Sequence, residues 1–232
     1  MKAIVAVICF LSLGIVAMGA STPKEQLEKA NLVINQIMQT PETGIPGDLL
    51  NQAVCVGIVP AEIKFAFMFG GRYGRGVLIC RRHGNGPWGA PSMFTLGGGS
   101  FGFQIGGKET DVVFIVMNPG GVRKLLQSKV TLGAGISVAG GPVGRSAGGE
   151  TDAQLHAEIL SYSRARGLFA GVALKGAVLT QDSSDNEQLY GRPVNPEDIL
   201  IKGAVRTPAA ARPLDRSLTK YSPHGGSPFI KM

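Results

Sequence analysis

The stretch that decides the fold is residues 53–81, which read AVCVGIVPAEIKFAFMFGGRYGRGVLICR. Two short apolar runs, Val54–Val59 and Ile63–Phe69, are separated by a proline, and a third, Val77–Arg81, follows a glycine-rich segment. Runs of this length that are rich in β-branched residues and bounded by Pro and Gly are typical of strands. We therefore predict neighbouring strands here, with residues 70–76 forming a turn.

The strand pattern continues through most of the chain and is interrupted by few helices. Further strands are predicted at 92–96, 100–105, 111–117, 130–139 and 168–180. Short helices are predicted at 122–127, 182–190 and 196–201. Residues 153–164 fit either a strand or an amphipathic helix, because their apolar positions satisfy both spacings.

One longer helix precedes the strands. Thr22, Pro23 and Glu25 form a capping-box signature, and apolar residues then recur every three or four positions to about Gln39. Lys and Glu balance on its polar face, so we expect it to pack on the body rather than on a membrane. Together these elements predict a single β-rich α+β domain. It would contain a curved, mostly antiparallel sheet, an N-terminal helix, and short central and C-terminal helices.

Composition and motifs argue against an enzyme. The 232 residues include 34 Gly and 14 Pro, 44% are hydrophobic and 17% are charged, which suits a globular β-rich protein rather than a disordered one. Gly-x-Ser-x-Gly strings place serines at 100 and 146, but neither lies between a strand and a long helix as a nucleophile elbow requires. No His or Cys spacing suits a metal. We expect no catalysis, no cofactor and no metal ion.

The two ends of the chain differ from this body. Lys2, the apolar run 3–18 and the small residues at 17–20 predict a cleaved signal peptide over residues 1–20. The domain is predicted over 21–202, followed by a disordered basic tail over 203–232. After cleavage the remaining cysteines are Cys55 and Cys80. They would form a disulfide in an oxidising compartment or stay as two buried free thiols, and the sequence leaves both open.

Positive charge is unevenly distributed. The net charge is +7, and five basic residues fall in a stretch that contains no acid. They are Lys64, Arg72, Arg75, Arg81 and Arg82. A second group is Arg123, Lys124 and Lys129. Such clusters suit an anionic surface, either lipid headgroups or nucleic acid, and the alternative is a merely solvated face.

The order of the glycine-containing segments resembles the SYLF domain family. The matching segments are 70–77 (GGRYGRGV), 88–91 (WGAP), 102–107 (GFQIGG), 132–135 (LGAG), 141–145 (GPVGR), 161–164 (SYSR), 167–172 (GLFAGV) and 190–191 (YG). The resemblance implies a non-enzymatic module that binds phosphoinositides or other anionic lipids, with actin binding in some yeast members. In eukaryotic relatives the lipid contact is assigned largely to a basic amphipathic N-terminal segment.

These observations predict an exported bacterial protein, periplasmic or secreted, that binds anionic phospholipid peripherally. The five basic residues between Lys64 and Arg82 are the predicted contact, and we expect neither nucleic acid nor a metal as partner. Export would separate the chain from cytosolic actin, which enters only through the resemblance. The alternative is a structural cell-envelope protein that binds another protein or polymer through an apolar groove. Salt distinguishes the two, because screening weakens headgroup binding and leaves apolar docking unchanged.

Overall fold

The computed structural model describes residues 21–40, 42–67, 69–100, 106–144, 156–165 and 168–223. These residues form six α-helices and one nine-stranded sheet. The helices are α1 (Pro23–Met38), α2 (Gly47–Gln52), α3 (Pro119–Leu125), α4 (Ser183–Tyr190), α5 (Pro196–Leu200) and α6 (Arg212–Tyr221). The strands are β1 (Cys55–Phe67), β2 (Phe69–Cys80), β3 (Ser92–Ser100), β4 (Gly106–Val116), β5 (Lys129–Thr131), β6 (Val138–Gly140), β7 (Ile159–Ala165), β8 (Leu168–Gly171) and β9 (Val178–Gln181).

The sheet is curved and mostly antiparallel, as predicted. Its strand order is β5-β9-β3-β2-β1-β4-β7-β6, with β8 pairing beside β6 along β7. Only β6 and β7 pair in parallel among the named strands. The long strands β1 and β2 lie at the centre, so residues 53–81 form the middle of the fold.

Each face of the sheet carries a buried apolar cluster. On one face α1, α2 and α6 pack against side chains that include Val56, Ile58, Val77 and Ile79. On the other face α3 and α5 pack over a second cluster, in which the rings of Phe94 and Phe114 meet edge to face at 5.7 Å between centroids. Apolar side chains on both sides of a strand explain why the strand sequences are continuous apolar runs rather than alternating ones.

Helix α1 begins as its sequence predicts and packs on the body. The Glu25 amide donates to Thr22 Oγ1 at 3.3 Å, and the Thr22 amide donates to the Glu25 carboxylate at 3.1 Å. Leu27, Ile34 and Ile37 are at most 1% exposed. The helix therefore covers one face of the sheet, as its balanced charges indicate.

The prediction of a turn at 70–76 is wrong, because these residues lie inside β2. They pair with β1 on one side and β3 on the other. A Cβ atom added at Gly74 would meet Val59 Cγ1 at 2.4 Å, and one added at Gly76 would meet the Phe94 ring at 2.4 Å. The glycines are strand positions covered by large neighbouring side chains, not turn positions.

Three further strand predictions need correction. The predicted strand 130–139 is divided into β5 and β6, which lie at opposite ends of the sheet. The runs on either side of Pro60 form a single strand, β1, whose register shifts at residues 58–63. Ala61 takes a left-handed conformation there (φ 54°), and its amide donates to Asp111 Oδ1 at 3.0 Å. The predicted strand 168–180 is divided into β8 and β9, which lie in different parts of the sheet. Of residues 153–164, left open between strand and helix, those from 159 onward lie in strand β7.

The predicted disordered tail is also corrected. A 3-10 turn at Ala209–Ala211 and helix α6 lie within residues 203–232, and Leu214 and Leu218 on α6 are fully buried. Asn35 of α1 donates to Ser217 Oγ at 2.9 Å. Burial of the two leucines explains why this segment is helical. The sequence did not predict the helix, because the segment is rich in prolines and charged residues.

Cys55 and Cys80 form a disulfide between directly opposed positions of β1 and β2. Of the two arrangements that the sequence left open, the structure contains the bridge. The predicted signal peptide, the predicted strand residues 101–105 and Ser146 lie outside the described residues. Among the described helices, none is long and apolar enough to cross a membrane.

Candidate functional site

The five predicted contact residues do not form one site. Alternation along β2 places Arg72 and Arg75 on opposite faces of the sheet. Lys64 and Arg72 are directly opposed in register and share one acid, the fully buried Glu62. Lys64 Nζ lies 3.3 Å from Glu62 Oε2, and Arg72 Nε lies 3.6 Å from Glu62 Oε1. Their charges are thus partly neutralised inside the molecule.

Arg75 also makes its contacts inside the protein. Its guanidinium forms an ion pair with Asp185 of α4 and donates to the Ser21 carbonyl, and only 15% of its side chain is exposed. Burial, and then the neighbouring Asp182, raise the pKa of the Asp185 carboxyl, with Arg75 opposing them. This pair ties β2 to α4 and to the start of α1.

Arg81 is buried, with 2% exposure. Its guanidinium donates to the Ala53 carbonyl at 3.2 Å, the Gly86 carbonyl at 3.1 Å and the Ser222 carbonyl at 3.0 Å, and it stacks on Trp88 at 4.0 Å. Burial lowers the pKa of Arg81 to about 10, so the group stays charged at neutral pH. An arginine held in this way is a structural cross-link and is removed from the predicted contact set.

Of the five predicted residues, Arg82 is the only one in the exposed class, and it lies beside α6. Burial raises the pKa of Asp215 on α6, while the positive charges of Arg82 and Arg216 oppose that rise. The positive charges of Arg82 and Arg216 therefore both act on the Asp215 carboxylate.

Helix α6 carries an exposed row of cations that sequence reasoning placed in a tail. Arg212, Arg216 and Lys220 recur every fourth residue and are all exposed, opposite the buried Leu214 and Leu218. Within the described part of the chain, none of these three forms an ion pair. We call Arg212, Arg216 and Lys220 the basic stripe. The signal that could have found it is the shared four-residue spacing of the cations and of the two leucines.

A cavity of about 600 Å³ lies at the end of the sheet where the disulfide is. Helices α3 and α5 and the 3-10 turn Arg82–Gly84 border it. Its lining is mainly apolar and includes Val54, Pro119, Val122, Leu126, Leu200, Ile201 and the disulfide itself. Its charged neighbours are Arg81, Arg123 and Glu197, with His83 at the turn. The second basic group of the sequence thus contributes Arg123 to the edge of a cavity.

Lys124 of that second group has a different role. Its Nζ lies 2.7 Å from Glu158 Oε2, and Ser137 donates its amide to the same oxygen at 3.0 Å. Burial would raise the pKa of Glu158, but Lys124 and Ser137 outweigh it and hold that pKa below its ordinary value. In the described residues no group of three or more His, Cys, Asp or Glu side chains is arranged to hold a metal ion.

The fold defines a class: an α+β domain whose curved sheet is covered by helices on both faces. A family model with the description "Las17-binding protein actin regulator" matches residues 97–221, more than half of the chain. The chain belongs to this Ysc84 family, which confirms the resemblance to the SYLF domain. The match ends at the last residue of α6, so that helix belongs to the matched region.

Curated relatives agree with this assignment. An SH3 domain-containing protein of Schizosaccharomyces pombe, PJ696.02, is 35% identical over 206 residues, which is 85% of this chain and 47% of the relative. LAS seventeen-binding protein 3 of Saccharomyces cerevisiae is 33% identical, covering 90% of this chain and 49% of the relative. The human SH3 domain-containing YSC84-like protein 1 is 30% identical, covering 87% and 60%. The chain thus spans about half the length of the curated relatives it matches.

Proposed function

We propose that this protein binds anionic phospholipid surfaces, without catalysis, through the basic stripe of α6 together with Arg82. The observation that supports the proposal is the stripe itself, a row of exposed cations without an ion-pair partner among the described residues. The buried leucines pack helix α6 against the body of the domain, and the cations lie on its outer face. The contact set therefore changes from the predicted one: Arg82 stays, and Lys64, Arg72, Arg75 and Arg81 leave it.

Helix α1 is a poorer contact surface than α6. On its exposed side Lys24 and Lys29 are offset by Glu25 and Glu28, which leaves no net attraction to an anionic leaflet. The apolar side of α1 is already covered by the sheet and α6. The attribution of lipid contact to the N-terminal segment therefore does not fit this chain.

Vesicle co-sedimentation tests the proposal. Each basic residue near an anionic leaflet contributes about 1 kcal/mol, so the triple variant R212Q/R216Q/K220Q should bind anionic vesicles over a hundredfold more weakly. Binding of the unmodified protein should fall steeply as ionic strength rises. The matched control is K24Q/K29Q on α1, which should bind as the parent does. Retained binding in the triple variant, or loss in the control alone, would overturn the assignment to α6.

We also propose that the protein acts outside the cytosol. The support is the predicted signal peptide and the Cys55–Cys80 disulfide, a bond that persists in oxidising compartments. The family description names Las17 binding and actin regulation, and an exported chain would not meet cytosolic actin. Co-sedimentation with filamentous actin provides the test, and we expect the protein to stay in the supernatant. Recovery of the mature protein in the cytosolic fraction, with reduced thiols, would contradict the export proposal.

A further inference from the structure

The apolar cavity beside the disulfide is a separate feature from the basic stripe. It lies between α3 and α5, on the side of the sheet opposite α1 and α6. The 3-10 turn Arg82–Gly84 lies beside both: His83 and Gly84 line the cavity, and Arg82 lies near Asp215 of α6. A role for the cavity therefore goes beyond the binding of a membrane surface by α6.

The cavity has the size and lining of a small-molecule site. Its volume of about 600 Å³ falls within the range of ligand pockets, roughly 300–1,000 Å³. The walls are side chains such as Val122, Leu126 and Leu200, and one rim residue, Ile201, is 47% exposed. An apolar chain that enters would remove this surface from water without requiring hydrogen bonds in the cavity.

The charges around the cavity leave one cation available. Arg81 is engaged by three carbonyl groups of the protein, and Glu197 lies 3.4 Å from Lys202 Nζ. Arg123 is exposed, and within the described ranges no acid lies at ion-pair distance from it. The site thus combines an apolar interior with a single unpaired positive group at its edge.

We propose that this cavity binds one long-chain fatty acid, with the acyl chain between α3 and α5 and the carboxylate paired with Arg123. A fatty acid fits because it is a single apolar chain with one anionic end. A neutral headgroup would leave the Arg123 guanidinium without a counter-charge, and a polar ligand would find few hydrogen-bonding groups inside.

Equilibrium binding of radiolabelled palmitate to the full chain, below the critical micelle concentration, tests the proposal. We expect saturable binding at one site per chain. Leu126→Trp and, independently, Ile201→Trp place a large side chain in the cavity and at its rim, and each should reduce palmitate binding at least tenfold. Thermal melting shows whether each variant is folded. Parent-like affinity in both folded variants would overturn the proposal.

The charge contact is tested with a neutral ligand. Arg123→Gln should weaken palmitate binding about tenfold and leave the binding of hexadecanol unchanged, because only palmitate loses a charged hydrogen-bond partner. The matched control, Arg216→Gln on α6, should bind palmitate as the parent does. Equal loss for both ligands in Arg123→Gln would show that the arginine does not recognise the carboxylate.

This experiment is independent of the proposed membrane binding. The triple variant of the basic stripe should lose vesicle binding and keep palmitate binding, whereas Leu126→Trp should show the reverse. Absence of saturable palmitate binding to the parent would overturn the fatty-acid site alone. Failure of the parent to bind vesicles, with palmitate binding retained, would overturn the proposed function alone.

Discussion

Adjacent arginines show how little a residue's type says about its role. Arg81 is buried and donates to carbonyl groups at residues 53, 86 and 222, whereas Arg82 is exposed beside α6. In the sequence both belong to one cluster without acids. The three carbonyl acceptors belong to backbone at widely separated positions and have no signature in the sequence. The basic cluster was therefore predictable as a concentration of charge, but not as a contact surface.

Replacement of these two arginines by alanine should change the stability of the protein by very different amounts. Arg81→Ala removes the partner of several buried carbonyl groups and should lower the free energy of unfolding by about 3 kcal/mol. Arg82→Ala, the matched control at an exposed position, should change it by less than about 0.5 kcal/mol. Urea denaturation followed by circular dichroism measures both. Equal midpoints for the two variants would show that the buried contacts of Arg81 do not stabilise the fold.

At the scale of elements, local signals were predictable and distant ones were not. The N-terminal caps of α1 and α3 follow from residues within one turn: the Glu25 amide donates to Thr22, and the Gly121 amide donates to Asn118. The glycine-rich part of β2 was mistaken for a turn, because the side chains that leave room only for glycine there belong to β1 and β3. Helix α6 was missed because its local signal is weak: only two leucines, Leu214 and Leu218, recur at helical spacing, and the rest of its apolar contact is supplied by α1, far away in the sequence.

Replacement of a glycine in the central strands should lower the stability of the protein where an aromatic ring packs against that glycine. A Cβ atom at Gly57 of β1 would lie 2.1 Å from the Phe114 ring, so Gly57→Ala should destabilise the protein by about 1–3 kcal/mol. Gly47 at the start of α2 has no atom within 4 Å of such a Cβ, and Gly47→Ala should be neutral or slightly stabilising. Thermal melting compares the stability of the two alanine variants. Partial rescue of Gly57→Ala by Phe114→Leu would confirm the clash, and no difference between the two alanine variants would contradict it.

At the scale of the whole molecule, one helix carries both the buried side chains that stabilise the fold and the surface that we propose binds anionic lipid. The inner face of α6 buries Leu214 and Leu218 against α1, and the residue after it, Ser222, accepts hydrogen bonds from Arg81 and Trp88. The outer face carries the basic stripe. Because the buried leucines and the basic stripe lie on opposite faces of α6, their effects can be tested separately. Substitutions in the basic stripe should affect the proposed lipid binding alone, whereas loss of the whole helix should destabilise the fold.

Truncation after Lys202 should therefore unfold or strongly destabilise the protein. Full burial of each leucine contributes about 1.5–3 kcal/mol, so the loss of both is a large fraction of a domain's net stability of about 5–15 kcal/mol. The full-length variant R212Q/R216Q/K220Q is the matched control, since it keeps both leucines and should melt within a few degrees of the parent. Thermal melting by circular dichroism decides between the two views of this segment. A truncated protein that melts like the parent would show that residues 203–232 are a dispensable tail, as the sequence alone indicates, and that the leucines of α6 do not hold the fold together.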